Sequence, residues 1–456
     1  MKREPVKDLR SFLLQLEERG ELIRIQKKVS LKYELAGLEK RLEGAPAVLF
    51  ENIDGSSMAV VSGLCGSRER VGLALNTSFE SIHERYAQAH LGAKPQLTKD
   101  GPVLEKIGNV KLSDLPIPLH FEKDAGPYIT SSIIFARNPK SNYQNGSVHR
   151  LCVLDNKRLV VRAVEGRHLD NCIQTAKNTG TELDVAIAIG VHPAILMAAA
   201  YQAPLGTDEM QIASGLMGGP LSIVKCPGSN LVVPSHAEMV LLGTLDPEQL
   251  EEEYMTEMLA TYDYKRLQPV ITVRKILQRK HPIYHDILPA SREHRFIMSV
   301  PVESKILAGV RNTVPSVEDV RLTEGGCNWL VAVIKMKKKY DGEPKNAILS
   351  ALTAHPSLKI VYVVDHDIDI SDPNAIEFAL ATRFQADDGL VVIQGAKGSS
   401  LDPSSNQAKR TTSKIGIDAT ATLSIPWDRF ETAKIPGVDQ IILKNYLPKE
   451  AKGLFQ

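Results

Sequence analysis

Between residues 128 and 295 the chain is a succession of short apolar runs: ITSSIIFA, RLCVLD, RLVVRAV, VAIAIG, LSIVKC, NLVVP and VITVRKI. Few segments long enough for a helix lie between them. Runs of about 4–8 apolar and β-branched residues set off by turn residues read as strands. Many strands with little to cover them hide their edges by curling the sheet until it closes. The pattern therefore predicts six or seven strands wrapped into a barrel.

The flanks read differently. Leu9, Phe12, Leu13 and Leu16 recur at helical spacing and Gly20 is placed to stop that helix. ELIRIQ, AVLFENI and MAVVSGLCG follow as strands, which makes residues 1–115 a small mixed α/β unit. The Pro-rich stretch LSDLPIPLHFEKDAGPY marks a boundary. After it come the barrel, residues 116–295, and a third part, residues 296–456. There LVAVIKM, KNAILSALTA, LKIVYVVD, AIEFALATRF and GLVVIQG alternate strand with helix, as in an α/β domain with a largely parallel sheet. The expected class is mixed α/β. SSLDPSSNQAKRTTS, near 399–413, is the best candidate for a mobile loop.

Composition narrows the partners. A formal net charge of +1 over 456 residues gives no field for recruiting nucleic acid. The one basic run, Lys335 and Lys337–Lys339, reads as a solvated strand end. The five cysteines are scattered, odd in number and without a C-x-x-C, which suits reduced, mostly buried thiols. MKREPVKDLRSF has no apolar signal core, and the longest apolar stretch, Val185–Ala200, is interrupted by Gly190, His192 and Pro193. The expectation is a cytoplasmic protein with no membrane span.

Familiar motifs are absent. There is no G-x-G-x-x-G after a strand, no P-loop and no G-x-S-x-G elbow. DHDIDISD (365–372) lacks the Gly and terminal Glu of a calcium loop, so it reads better as a strand end whose aspartates cap the next helix. His236 and Glu238 read as structural. Three segments carry more chemistry: Asn145-Gly-Ser-Val-His149-Arg150, Glu165-Gly-Arg167-His168, and Gly206-Thr-Asp208-Glu209. An amide oxygen, an imidazole and a carboxylate form a hard-leaning set suited to manganese or magnesium bridging to a phosphate. Spacing by itself does not bring them together.

The order and spacing of these segments resemble the UbiD decarboxylase family, over residues 8–430 and including VVDHDIDISDP and KIGIDAT. The resemblance implies a split β-barrel that binds prenylated flavin mononucleotide, supplied by a flavin prenyltransferase. It also implies a divalent metal (manganese) on Asn145, His168 and Glu209, with potassium or sodium nearby, and Arg150 beside the site. Lys414, in TSKIGIDAT, matches a lysine that reaches the cofactor phosphate; a solvent-facing lysine is the alternative. The family's acid pair, two Glu five apart, falls on Glu252 and Glu257 within EEEYMTEM. The usual Gly-Pro-Phe-Gly core is missing, Glu251 and Glu253 leave the register open by one, and an acidic helix face is the competing account. Glu257 is the implied general acid, and Arg150 pairs with the acids and positions the substrate carboxylate. HRLCVLDNKRLVVRAVEGRHL and VAIAIGVHPAILMAAA resemble members that decarboxylate anhydromevalonate phosphate to isopentenyl phosphate, and Lys157, Arg162 and Arg167 offer charge for such a substrate. A hydroxybenzoate-type aromatic decarboxylase is the runner-up; a flavin reductase or a non-catalytic flavin-binding subunit is more remote. A homodimer or larger homo-oligomer, built through the last domain, is implied.

Overall fold

The computed structural model describes residues 6–442 and 445–448, except 110 and 142. The start of the N-terminal segment and residues 449–456 of the third part lie outside the described residues. The first helix, Leu9–Glu18, begins at a capping box: the Asp8 carboxylate accepts from the Ser11 N–H at 2.8 Å, and Ser11 Oγ accepts from the Asp8 N–H at 3.0 Å. Leu9, Phe12, Leu13 and Leu16 are buried while Leu14 faces out, and Gly20 turns the chain away at φ +72°. Strands Leu22–Ile25, Ala47–Phe50 and Ala59–Ser62 form a sheet whose fourth member, Ile283–His285, arrives from the far end of the barrel. Glu238 helps bind the two parts. It is fully buried and accepts from Arg10 at 2.8 Å through each oxygen, and from the Ile283 N–H at 3.0 Å. Its role is structural.

Six antiparallel strands make the barrel: β1 Tyr128–Arg137, β2 Gln144–Val153, β3 Arg158–Val161, β4 Leu183–Ile189, β5 Met239–Glu253 and β6 Arg266–Gln278. Their order is β5-β4-β1-β2-β3-β6, and β5 pairing with β6 closes the ring. The membership differs from the expectation in one respect. LSIVKC and NLVVP form a separate three-stranded sheet with Gln96–Thr98, and the missing barrel strand is β5. Pro247 disguises β5, because proline cannot donate to a ladder. The strand accommodates it in a bulge between Asp246 and Leu250, then resumes pairing through Glu251, Glu252 and Glu253. β4 shows why its sequence is apolar without interruption: both faces are covered. Val185, Ile187 and Ile189 enter one core, while Ala186 and Ala188 enter another with the residues of helix Pro193–Ala200.

Helix Arg292–Arg311 leads out of the barrel unit. Phe296, Ile297 and Val300 pack into the core beside the barrel, and Val302, Ile306, Leu307 and Val310 into that of the last unit. The last sheet has order Val317–Leu322, Val331–Met336, Ile360–Asp365, Thr411–Ala419, Leu390–Lys397. Only its central three strands are parallel and both edges are antiparallel, so the sheet is mixed rather than largely parallel. Asp372 caps helix Pro373–Arg383, accepting from the Asn374 N–H at 2.9 Å. Asp365 and Asp367 both accept from Arg383, at 2.6–2.8 Å, so the acidic run is held within the fold by an arginine. The segment expected as a loose loop is tied in as well, through Lys359 and Asp402 at 2.9 Å.

Candidate active site

A cavity of about 790 Å³ opens beside the barrel, within the size range of cofactor and substrate sites. Its wall comes from β2, the starts of helices His168–Thr179 and Glu209–Met217, the β5–β6 turn, helix Arg292–Arg311, and Trp329, Ser357 and Ser399–Leu401 of the last unit.

β2 places Asn145, Ser147 and His149 on one face through its two-residue period. They form a directed chain. His149 Nδ1 faces the Arg162 carbonyl at 2.9 Å, so Nδ1 carries the proton and donates it. Nε2 then accepts from Ser147 Oγ at 2.8 Å, and Ser147 Oγ accepts from the Asn145 amide at 2.7 Å. Burial holds His149 neutral, with its pKa pushed down to about 4. The consequence falls on Asn145: its nitrogen is committed, and its fully buried Oδ1 has no hydrogen-bond partner. Such an atom calls for a ligand.

Glu209 opens its helix next to Asp208, which caps it by accepting from the Met210 N–H at 2.9 Å. One Glu209 oxygen accepts from the Gly146 N–H at 3.2 Å, and the other lies 3.4 Å from Nδ1 of His168. Gly146 is required there, because a Cβ would sit 2.5 Å from the Phe135 ring. Asn145, His168 and Glu209 thus line one cavity, and their unmatched oxygen and mixed donors fit a divalent cation.

Arg150 forms the second centre. It donates from Nε and Nη2 to the two oxygens of Glu253 at 2.7 and 2.9 Å, from Nη1 to Glu257, and from Nη2 to Asp263 at 3.1 Å. Four of its five N–H donors are used. Burial raises the Glu257 pKa and outweighs the pull of Arg150, while the neighbouring Asp263 charge raises it further. Burial opposes the ionisation of Asp263 too, yet Arg266 and Arg150 hold its pKa at about 2. The two shifts run in opposite directions, so Glu257 takes a proton more readily than Asp263.

Three expected residues lie elsewhere. Glu252 points away from the cavity, more than half exposed, and pairs with Lys265 at 3.1 Å. EEE is a strand end and not a helix face, so neighbouring residues alternate in direction, and Glu253 is the buried one. Lys414 is buried instead of solvent-facing, but it is not part of the lining. Its Nζ donates to the Pro356 carbonyl at 2.7 Å, behind Ser357. Lys157 is also absent from the lining, whereas Arg162 and Arg167 belong to it. Asp263 and Lys305 carried no motif, and Ser147 and His149, though inside the first of the three segments, had no role assigned to them. Only the two-residue spacing Asn145-x-Ser147-x-His149 within a strand signalled any of them.

Models of three parts of one family match the chain. The 3-octaprenyl-4-hydroxybenzoate carboxy-lyase N-terminal, Rift-related and C-terminal domains match residues 13–89, 95–292 and 295–419. The chain belongs to the UbiD family. Anhydromevalonate phosphate decarboxylase of Methanothermobacter thermautotrophicus is 42% identical over 417 residues, covering 91% of this chain and 97% of that protein. Among solved structures, the UbiD-class enzyme HmfF from Pelotomaculum thermopropionicum in complex with FMN has a TM-score of 0.93 at 41% identity, covering 96% of this chain and all of that one. An evolved dimeric form of HmfF in complex with prFMN reaches 0.90 at 38% identity, covering 97% of this chain and all of that one. The chain is thus a UbiD-family carboxy-lyase, and its closed barrel is the family's fold.

Proposed function

We propose that this UbiD-family chain is a prenylated-FMN-dependent decarboxylase that converts anhydromevalonate phosphate to isopentenyl phosphate. The observation that carries the reading is the meeting, in one cavity, of an orphan amide oxygen flanked by His168 and Glu209 with an arginine held by three carboxyl groups. Asn145, His168 and Glu209 would hold a divalent metal, manganese, against the cofactor phosphate, with a potassium or sodium ion nearby. Prenylated FMN, furnished by a flavin prenyltransferase, supplies when bound the electron sink that decarboxylation at an sp² carbon requires.

The remaining tasks fall to the chain. Arg150 keeps Glu257 in place and has one Nη1 N–H left for the substrate carboxylate. Glu257 holds the proton that replaces CO2 on carbon, with Asp263 and Glu253 as its fixed neighbours. Arg162, Arg167 and Lys305 line the cavity and match a phosphorylated substrate. Val164, Ile287, Ile297, Met298 and Trp329 would equally face an aromatic ring, which favours a hydroxybenzoate-type acid as the second reading. A complete acid cluster and the absence of a nicotinamide fingerprint weigh against a flavin carrier and a flavin reductase.

Five unpaired cysteines, four of them buried, suit a cytoplasmic setting, and no described helix is long and apolar enough to cross a membrane. The last unit is the proposed surface for a homodimer or larger assembly. The test is turnover by protein loaded with prenylated FMN, followed by 31P NMR on anhydromevalonate phosphate and by CO2 release on a panel of aromatic acids. Isopentenyl phosphate is the expected product. Release of CO2 from the aromatic acids alone would replace the substrate assignment, and inertness of the loaded protein toward every acid would overturn the function.

A further inference from the structure

A second cluster lies outside the cavity. Glu39, on helix Glu34–Arg41, His120, in the loop before β1, and Asp286, just beyond Ile283–His285, bring two carboxylate oxygens and an imidazole nitrogen within 4.8 Å of one another. Their exposures are 7%, 5% and 0%. His120 Nε2 is 2.9 Å from Asp286 Oδ2, and Asp286 Oδ1 accepts from the Thr130 hydroxyl at 3.0 Å. Neither oxygen of Glu39 makes a hydrogen bond of good geometry, although the Ser62 hydroxyl and the Asp286 carboxylate lie near it, and the buried Tyr284 hydroxyl has no partner either. Among the described residues no lysine or arginine pairs with Glu39 or Asp286. The charges acting most strongly on Glu39 are two further carboxylates, Asp286 and Glu293. Carboxylates buried side by side need either a cation between them or a shared proton.

We infer that Glu39, His120 and Asp286 form a binding site for a divalent transition cation, with zinc the best match. One imidazole and two carboxylates are a donor set zinc accepts, and a fourth position is open to a water or to Ser62. Ligands from positions 39, 120 and 286 would join the N-terminal unit to the barrel, a cross-link between segments far apart in the chain. The brace would also support the cavity wall. Thr130 and Ile287 both line the cavity; Thr130 donates to Asp286 and accepts from the Ile287 N–H at 3.0 Å. The site shares no residue with Asn145, His168 and Glu209, so the two respond separately.

The experiment uses full-length His168→Ala protein, whose cavity set is broken, stripped with a chelator and reloaded with zinc chloride. Metal analysis should find one zinc per chain, and the metal should raise the melting temperature. Adding Glu39→Gln should abolish both the bound zinc and the thermal response. If the carboxyls only share a proton, His168→Ala protein retains no zinc, and that result overturns the site. Equal zinc content with and without Glu39→Gln would overturn it as well.

Discussion

Asn145 offers its oxygen to the cavity because Ser147 and His149 occupy its nitrogen, an arrangement that no inspection of Asn145 alone would reveal. Ser147→Ala frees the amide to rotate and should weaken flavin retention by roughly 10–100-fold, read from the absorbance of purified holoenzyme against wild type. Glu257→Gln removes the protonated carboxyl but keeps its shape. Turnover should fall by about 10²–10⁴-fold with flavin still bound, and full activity would remove Glu257 from the chemistry. Because the Glu257 pKa is raised, its acid form is present below that value and is lost as pH rises through it. The kcat profile should therefore decline on the alkaline side, and Glu257→Asp should shift the position of that limb. Glu252 and Glu253 also separate cleanly. Glu252→Gln breaks an exposed pair with Lys265 and should cost under about 1 kcal/mol. Glu253→Gln disturbs a buried partner of Arg150 and should cost up to roughly 3–5 kcal/mol in urea unfolding.

At the scale of elements, the strand period explains both the successes and the slips. Asn145, Ser147 and His149 share a face because successive side chains on β2 alternate, and the same rule sends Glu252 outward and Glu253 inward on β5. Which of three consecutive glutamates faces the cavity depends on the bulge around Pro247, a feature of pairing with β6 that a local reading of EEEYMTEM cannot supply. The β5–β6 turn contributes Glu257 and Asp263 and holds Ala260 at φ +62°, a conformation uncommon outside glycine. Close approach matters as much as direction. Gly146→Val would drive a branched side chain into the Phe135 ring and disturb the N–H that Glu209 accepts. It should lower stability by about 1–3 kcal/mol in thermal melts and reduce bound flavin together with it.

For the whole molecule, helix Arg292–Arg311 supplies side chains to the cores on both sides of the cavity, so the last unit's Trp329, Ser357 and Ser399–Leu401 form part of the same wall. That unit also has an edge strand, Leu390–Lys397, with Leu390 and Val392 exposed and no strand paired on its outer side among the described residues. Exposed apolar edges of this kind are usually covered. The native protein should sediment as a dimer or larger, and Val392→Lys should shift it toward monomer in analytical ultracentrifugation. The sequence by itself determined what is periodic or carried by linear motifs: a barrel in the middle, α/β units on either side, and the order Asn145, Arg150, His168, Glu209 that resembles one family. Tertiary structure decided the rest: Glu253 in place of Glu252, Lys414 behind the wall, Asp263 in the acid cluster, and the barrel's sixth strand. The physical reason is range. Periodicity and capping act over a few neighbouring residues, whereas these outcomes depend on strand register, burial and partners a hundred or more positions away, as Arg150 meeting Glu253 and Asp263 shows.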